Sequence, residues 1–430
     1  MSARAPRRSC RPRLLGLGII IVSLLGGLAA CSSPPEPAEA PAPGASPTAS
    51  AVAAQPAADD GSGEASGVFD DRVVFGQSAA FSGPAEGLGT EMRHGIAAAF
   101  QEANRAGGVH GRLIELESLD DQYEPEAAIA NTRRLIEEER VFALIGAVGT
   151  PTSRSATPVA LAAGIPYVAP FTGAAFLRDA RELANVINLR ASYNQETEKM
   201  VAELTSIGID RIAVMYQDDS YGQAGYQGSL LALDRRGMEP VSVGVYPRNT
   251  EAVKTALLDV RRGNPQAVIM IGAYQPVGTF ISWARTTGMD AVFLTVSFVG
   301  SNALAEQLGG RGEGVVVTQV VPFPSDSSVP IVASYRRALT EYDPLLRPGF
   351  VSLEGYMAGR LAIAGLERCG PDLTRTCFRE AILGAASIGI DDFELSYGDG
   401  DNQGSDEVFL TVIGSDGLYY PVGRLADVQP

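Results

Sequence analysis

The residues best suited to chemistry fall where apolar runs end. Gly149-Thr150-Pro151-Thr152-Ser153 follows the run 142–148 and opens a helix pattern, placing three hydroxyls around a helix start. Free backbone N–H groups at such a start suit an anionic group such as a carboxylate. The same residues would equally serve as an ordinary N-cap. Pro170-Phe171-Thr172-Gly173-Ala174 follows the next apolar run and offers an aromatic wall beside flexible backbone. Phe81-Ser82-Gly83-Pro84 follows the first run, and Asp219-Ser220-Tyr221-Gly222 and Gly272-Ala273-Tyr274 follow two later ones. Each tyrosine supplies an apolar face and one hydroxyl, useful to a ligand and equally useful in packing. In open α/β sheets, ligands bind beyond the carboxyl ends of strands.

Catalytic chemistry has little to draw on. The chain carries no G-x-S-x-G elbow, no H-E-x-x-H, and no G-x-G-x-x-G opening a helix after a strand. Its only lysines, Lys199 and Lys254, lie outside any P-loop pattern. His94 falls on a helix pattern and His110 in a Gly-flanked turn, and with 2 His and 4 Cys a multi-ligand zinc site is poorly supplied. Asp120-Asp121, Asp218-Asp219 and Asp391-Asp392 read as solvated or capping carboxylates. The stretch 399–404 imitates the start of a calcium loop, but Leu410 stands where a bidentate Glu is needed, so a tight polar turn is expected. The expectation is a protein with no catalytic residues, no metal and no cofactor. A net charge of −16 argues against binding nucleic acid.

These residues must be held by a large fold. The 430 residues suffice for two or three domains, and 45% apolar with 20% charged is an ordinary globular balance. The first thirty residues read differently. Arg4, Arg7, Arg8, Arg11 and Arg13 precede the apolar run 14–28, which is too short to span a bilayer and suits a secretory signal. Leu28-Ala29-Ala30-Cys31 resembles a bacterial lipobox, with cleavage before Cys31 and lipid on its thiol; plain cleavage or an uncleaved anchor are the alternatives. Removing residues 1–30 leaves 29 basic against 50 acidic residues, a net charge of −21. Residues 31–67, rich in Pro, Ala, Ser and Glu, should form an extended tether. Cys369 and Cys377 should then close a small disulfide loop in an oxidising compartment.

The rest alternates strand and helix. Strand patterns at 73–76, 113–119, 142–148 and 167–169 are separated by helix patterns at 91–106, 126–139 and 156–163. A second series follows residue 190, with strands at 212–216, 241–246, 267–271, 292–296 and 315–321 and helices at 222–236, 250–261, 278–287 and 302–308. Such alternation implies parallel sheets covered on both faces, here two doubly wound α/β lobes. The tail adds helices near 331–342, 352–366 and 373–383, then strands near 393–397, 408–413 and 419–424. A chain returning from the second lobe to complete the first would need them.

Several stretches carry a family resemblance: F-S-G-P (81–84), I-A-A-A-F-Q-E-A-N-R-A-G-G-V-H-G-R (96–112), D-D-Q-Y-E-P (120–125), L-I-G-A-V-G-T (144–150), G-I-P-Y-V-A-P-F-T-G-A (164–174) and D-D-S-Y-G (218–222). In this order they resemble type I periplasmic binding proteins, in the Leu/Ile/Val-binding branch of ABC importer substrate-binding lipoproteins. The resemblance implies a Venus-flytrap architecture with three crossovers, lobe one being 68–190 plus 324–388 and lobe two 191–323 plus 389–430. It implies a small-molecule ligand in the cleft, a membrane permease as partner, and a monomer anchored by lipid in the periplasm or at the cell surface. It assigns the ligand carboxylate to Thr150, further contacts to Phe171 and Gly173, and lobe-two aromatic contacts to Tyr221 and Tyr274. Tyr193 at the first crossover joins them. Ser297 stands where branched-chain amino acid binders place a Glu for the ligand ammonium. A hydroxyl cannot form that ion pair, so Glu196 or Asp219 would have to replace it, or the ligand is a small carboxylate, an amide or an aromatic acid. A sensory module of the same fold, signalling to a membrane regulator, is the second expectation.

Overall fold

The computed structural model describes residues 66–398 and 400–427. The signal, Cys31 and nearly all of the tether expected from the sequence lie outside them, as does Asp399 of the expected polar turn.

The first sheet comes from β1 (Arg72–Ala79), β2 (Leu113–Asp120), β3 (Ala143–Ile145), β4 (Tyr167–Val168) and β5 (Val186–Ile187), alternating with α1 (Glu86–Arg105), α2 (Pro125–Glu137) and α3 (Thr150–Ala162). Its order is β2-β1-β3-β4-β5, and every pairing is parallel. The chain then leaves for a second sheet through α4 (Tyr193–Ser206), β6 (Ile212–Asp218), α5 (Ser220–Asp234), β7 (Val243–Pro247), α6 (Lys254–Arg262), β8 (Ala267–Ile271), α7 (Tyr274–Thr286), β9 (Val292–Thr295), α8 (Ser301–Leu308) and β10 (Val316–Gln319). The run Ala267-Val-Ile-Met-Ile271 of β8 is buried throughout, as a parallel strand covered on both faces must be.

The tail divides between the lobes. Helices α9 (Pro330–Tyr342) and α10 (Phe350–Cys369) pack on α1, and α11 (Arg375–Leu383) packs on α10. The Cys369–Cys377 disulfide ties the end of α10 to α11. β11 (Ile388–Ile390) and β12 (Phe393–Leu395) form a separate hairpin, with β11 against α10. β13 (Phe409–Ile413) and β14 (Tyr419–Val422) then extend the second sheet, whose order is β14-β13-β10-β9-β8-β6-β7. The chain thus passes between sheets after β5, after β10 and after β12. The expected return point at 388/389 falls inside the hairpin, so the third passage begins later, after Leu395.

Two differences from the sequence reading have physical causes. The edge strands β13 and β14 run antiparallel to their neighbours: β14 folds back on β13 because the short connection between them can only reverse the chain, and β13, reached through the third passage, enters beside β10 from the opposite end. Helix α4 was not expected. It starts at a capping box in which Ser192 Oγ accepts from the Gln195 amide at 3.3 Å and Gln195 Oε1 accepts from the Ser192 amide at 2.7 Å.

Candidate functional site

The carboxyl ends of both sheets point toward one aromatic cluster. After β9 the chain makes a single tight turn, Ser297–Val299, that buries Phe298. The Phe298 ring stacks on Phe171 at 5.2 Å and lies 4.5 Å from Tyr221 and 6.2 Å from Tyr123, centroid to centroid. Tyr193, opening α4, meets Tyr221 at 5.5 Å. Phe171 follows β4 and Tyr123 follows β2 of the first sheet, whereas Tyr221 and Phe298 follow β6 and β9 of the second. The cluster therefore joins the lobes. It encloses a cavity of about 10 Å³, room for roughly one water. Pro84, Ala85 and Tyr123 line it from one side, and Gln217, Tyr221, Asn249 and Phe298 from the other. A larger guest therefore requires the two walls to separate.

Local backbone sets these positions. Gly149, immediately before α3, has φ 108°, and a Cβ there would lie 2.5 Å from the Tyr123 ring. Only glycine allows Tyr123 to close over the start of α3. At Gly173 a Cβ would fall 2.6 Å from the Tyr193 ring, and the Tyr193 amide donates to the Gly173 carbonyl at 2.7 Å.

A charged knot lies behind the aromatic cluster. Arg190, wholly buried, pairs with Glu196 at 2.9 Å and Glu354 at 3.5 Å and also donates to Ser297 Oγ. Its guanidinium lies 5.1 Å above the Phe171 ring. Glu196 accepts from the Ser297 amide at 2.8 Å, Ser297 Oγ at 3.0 Å and Thr318 Oγ1 at 2.6 Å. Glu354 sits on α10, and burial pushes its carboxyl up to about 7 although Arg190 pulls it down. Arg178 holds the same region from outside, donating to the carbonyls of Thr172 at 3.1 Å and Arg190 at 3.0 Å and to Gln403 Oε1 at 2.8 Å. It thereby ties the first and third passages together.

At the mouth, the lobes are clasped. Arg248, after β7, donates to Glu124 at 2.6 Å and to the Tyr123 carbonyl at 2.8 Å, and Asn249 donates to the same Glu124 at 2.7 Å.

The site residues expected from the sequence separate into groups. Tyr221 lines the cavity. Phe171, Tyr193 and Ser297 stand around it through Phe298, Tyr221 and Arg190. Thr150 is buried behind this wall, its hydroxyl 2.6 Å from that of Thr172. Tyr274 stands at the rim, packed over Gly87 of α1. Sequence reading missed Phe298, Tyr123, Arg190 and the Arg248–Glu124 clasp. Phe298 adjoins Ser297 and was within reach of the strand-end rule, whereas the clasp joins residues 124 apart in sequence. Of the two substitutes considered for the missing Glu, Glu196 reaches Ser297 but is held by Arg190. Asp219 instead caps α5 through the amides of Tyr221 at 2.9 Å and Gly222 at 3.0 Å. Burial raises the Asp219 carboxyl despite these bonds.

Two α/β lobes meeting over a shared cavity at their strand ends define a two-lobed solute-binding protein. Residues 72–417 match the family model described as periplasmic binding protein, and the chain belongs to that family, in its type I, Leu/Ile/Val-binding branch. A solved structure of a possible leucine/isoleucine/valine-binding protein from Rhodopirellula baltica is 40% identical, with TM-score 0.79, over 82% of this chain and 96% of that one. Leu/Ile/Val-binding protein homolog 7 of Brucella abortus is 30% identical over 48% of this chain and 54% of its own length. An amino acid binding protein of Pseudomonas aeruginosa is 24% identical over 57% of this chain and 66% of its own. The matched region thus spans about half to two-thirds of these curated relatives.

Proposed function

We propose that this protein captures a small organic solute between its lobes and delivers it to an ABC permease in the membrane. The observation that carries this reading is the aromatic cluster built from both sheets, because residues from either lobe alone would leave the cavity wall incomplete. A ligand touched by both lobes stabilises the closed form over the open one, since only the closed form makes both sets of contacts. Hinge closure of this kind is described for periplasmic binding proteins generally. The three passages between sheets are the hinge, with lobe one drawn from 68–190 and 324–388 and lobe two from 191–323 and 389–430, adjusted by the hairpin at 388–395.

The solute is an amino acid, an amide or a small carboxylate, the first in keeping with the relatives' names. Thr150, Phe171, Gly173, Tyr193, Tyr221, Tyr274 and Ser297 are its binding region. The L-A-A-C sequence makes Cys31 the lipid attachment point, and the Pro/Ala/Ser-rich segment holds the lobes away from a membrane surface. A thermal-shift screen against amino acids, amides and small carboxylates tests the reading. A rise in melting temperature with at least one solute, without its turnover, supports capture; turnover of a bound solute contradicts it.

A further inference from the structure

Every carboxylate around the cavity already has a protein partner or faces solvent. Glu196, nearest to Ser297, accepts from the Ser297 amide and hydroxyl and from Thr318, and is paired with Arg190. Asp219 is taken up by the Tyr221 and Gly222 amides and by Gln217 Nε2 at 2.6 Å. Asp121 accepts from Ser78 Oγ at 2.8 Å and the Tyr123 amide at 2.9 Å. Glu124 is spent on Arg248 and Asn249. Glu86, Asp218 and Glu251 adjoin lining residues in sequence but are exposed. None of these carboxylates is both buried and free to receive an ammonium group, Glu91 of α1, partly buried near Tyr274, does not line the cavity, and desolvating an unpaired ammonium is costly.

Among the described residues that line the cavity, one buried side-chain hydroxyl is unspent. Tyr123 is 2% exposed, lines the cavity and packs against Gly149 at the start of α3, and its hydroxyl has no hydrogen-bond partner. Gln217, the neighbouring polar side chain, is occupied by Asp219 and by the Tyr246 hydroxyl at 3.1 Å. A buried hydroxyl left without a partner is unfavourable, and a ligand oxygen would relieve it.

We infer that the cavity takes an ammonium-free solute, an aromatic or branched aliphatic body bearing a carboxylate or carboxamide, and that the Tyr123 hydroxyl donates to its carbonyl oxygen. The aromatic faces of Tyr221 and Phe298 hold the body, and Ser297 leaves an amine without a counter-charge. This inference rests on the solute-capture reading and narrows its ligand class.

Titration calorimetry on the full-length protein tests it with matched probes. Phenylalanine is compared with 3-phenylpropanoate and 3-phenylpropanamide, and leucine with 4-methylpentanoate and 4-methylpentanamide. The ammonium-free member of at least one series is expected to bind at least about tenfold more tightly than its amino acid, the scale set by one unmatched charge or hydrogen bond. Tyr123→Phe should weaken that probe about five- to tenfold without lowering the melting temperature of the free protein. Equal or tighter binding of the amino acids overturns this inference and leaves solute capture standing. A protein that responds to neither set overturns the inference and removes support from the capture reading as well. Unchanged affinity in Tyr123→Phe overturns the role of that hydroxyl.

Discussion

Phe171 and Phe298 lie ring on ring, 5.2 Å apart with planes 29° apart, although one follows a strand of the first sheet and the other a strand of the second. An aromatic pair of this kind contributes about 0.5–1.5 kcal/mol beyond the area it buries. Placed across two lobes, that energy belongs to the closed arrangement alone. Phe298→Leu should therefore weaken solute binding by about tenfold while costing under about 1.5 kcal/mol of stability, since the volume change is small. Calorimetry and thermal melting of the variant measure the two effects separately.

The Arg248–Glu124 clasp acts on the same equilibrium from the mouth. Its side chains are 27% and 40% exposed, so each contribution is modest, about 0.5–1 kcal/mol. Arg248→Ala and Glu124→Gln should each speed solute release by roughly two- to fivefold, and the double variant no more than either alone. Stopped-flow release rates check this; additive effects would show that the pair does not act as a unit.

Arg190 is the reverse case, because burial magnifies its loss. Arg190→Met would strand Glu196 without its counter-charge, at a cost of about 3–5 kcal/mol. Urea unfolding of the variant should show a large fall in midpoint with an unchanged slope.

Stability should also fall as pH rises from about 4.5 to about 7. Burial raises Glu354 from 4.5 to about 7, Glu91 from 4.5 to about 7 and Asp121 from 3.8 to about 6. Between the ordinary and the raised values the folded state holds protons that the unfolded state has released, so stability decreases with pH through that window. Urea midpoints at pH 5 and pH 7.5 should differ more in the wild type than in Glu354→Gln, which cannot ionise. A wild-type midpoint that rises over this range would contradict the assignment.

The tether makes a separate prediction. Cys31→Ser should leave the protein releasable from membranes by washing, whereas the wild type stays attached. Fractionation decides this, and integral behaviour of the variant would remove the lipid-anchor proposal.

The strand–helix alternation was legible because parallel strands covered on both faces read as continuous apolar runs, as Ala267–Ile271 does. The antiparallel edge was not, since β13 and β14 carry the same apolar residues whichever way they pair. Helix α4 was hidden between two strand series, though Ser192 and Gln195 announce it. In the site, Tyr221 and Phe171 could be found because strand ends were known to matter. Tyr123 follows β2 and was within reach of the same rule, whereas Arg190 and Glu354 were not, because their importance lies in contacts between lobes and passages that no local pattern encodes.

Small-angle scattering of the protein with and without a saturating solute from the thermal-shift screen tests the central claim most directly. Closure of two lobes around one guest predicts a smaller radius of gyration in the bound sample. Superimposable curves at saturation would contradict it.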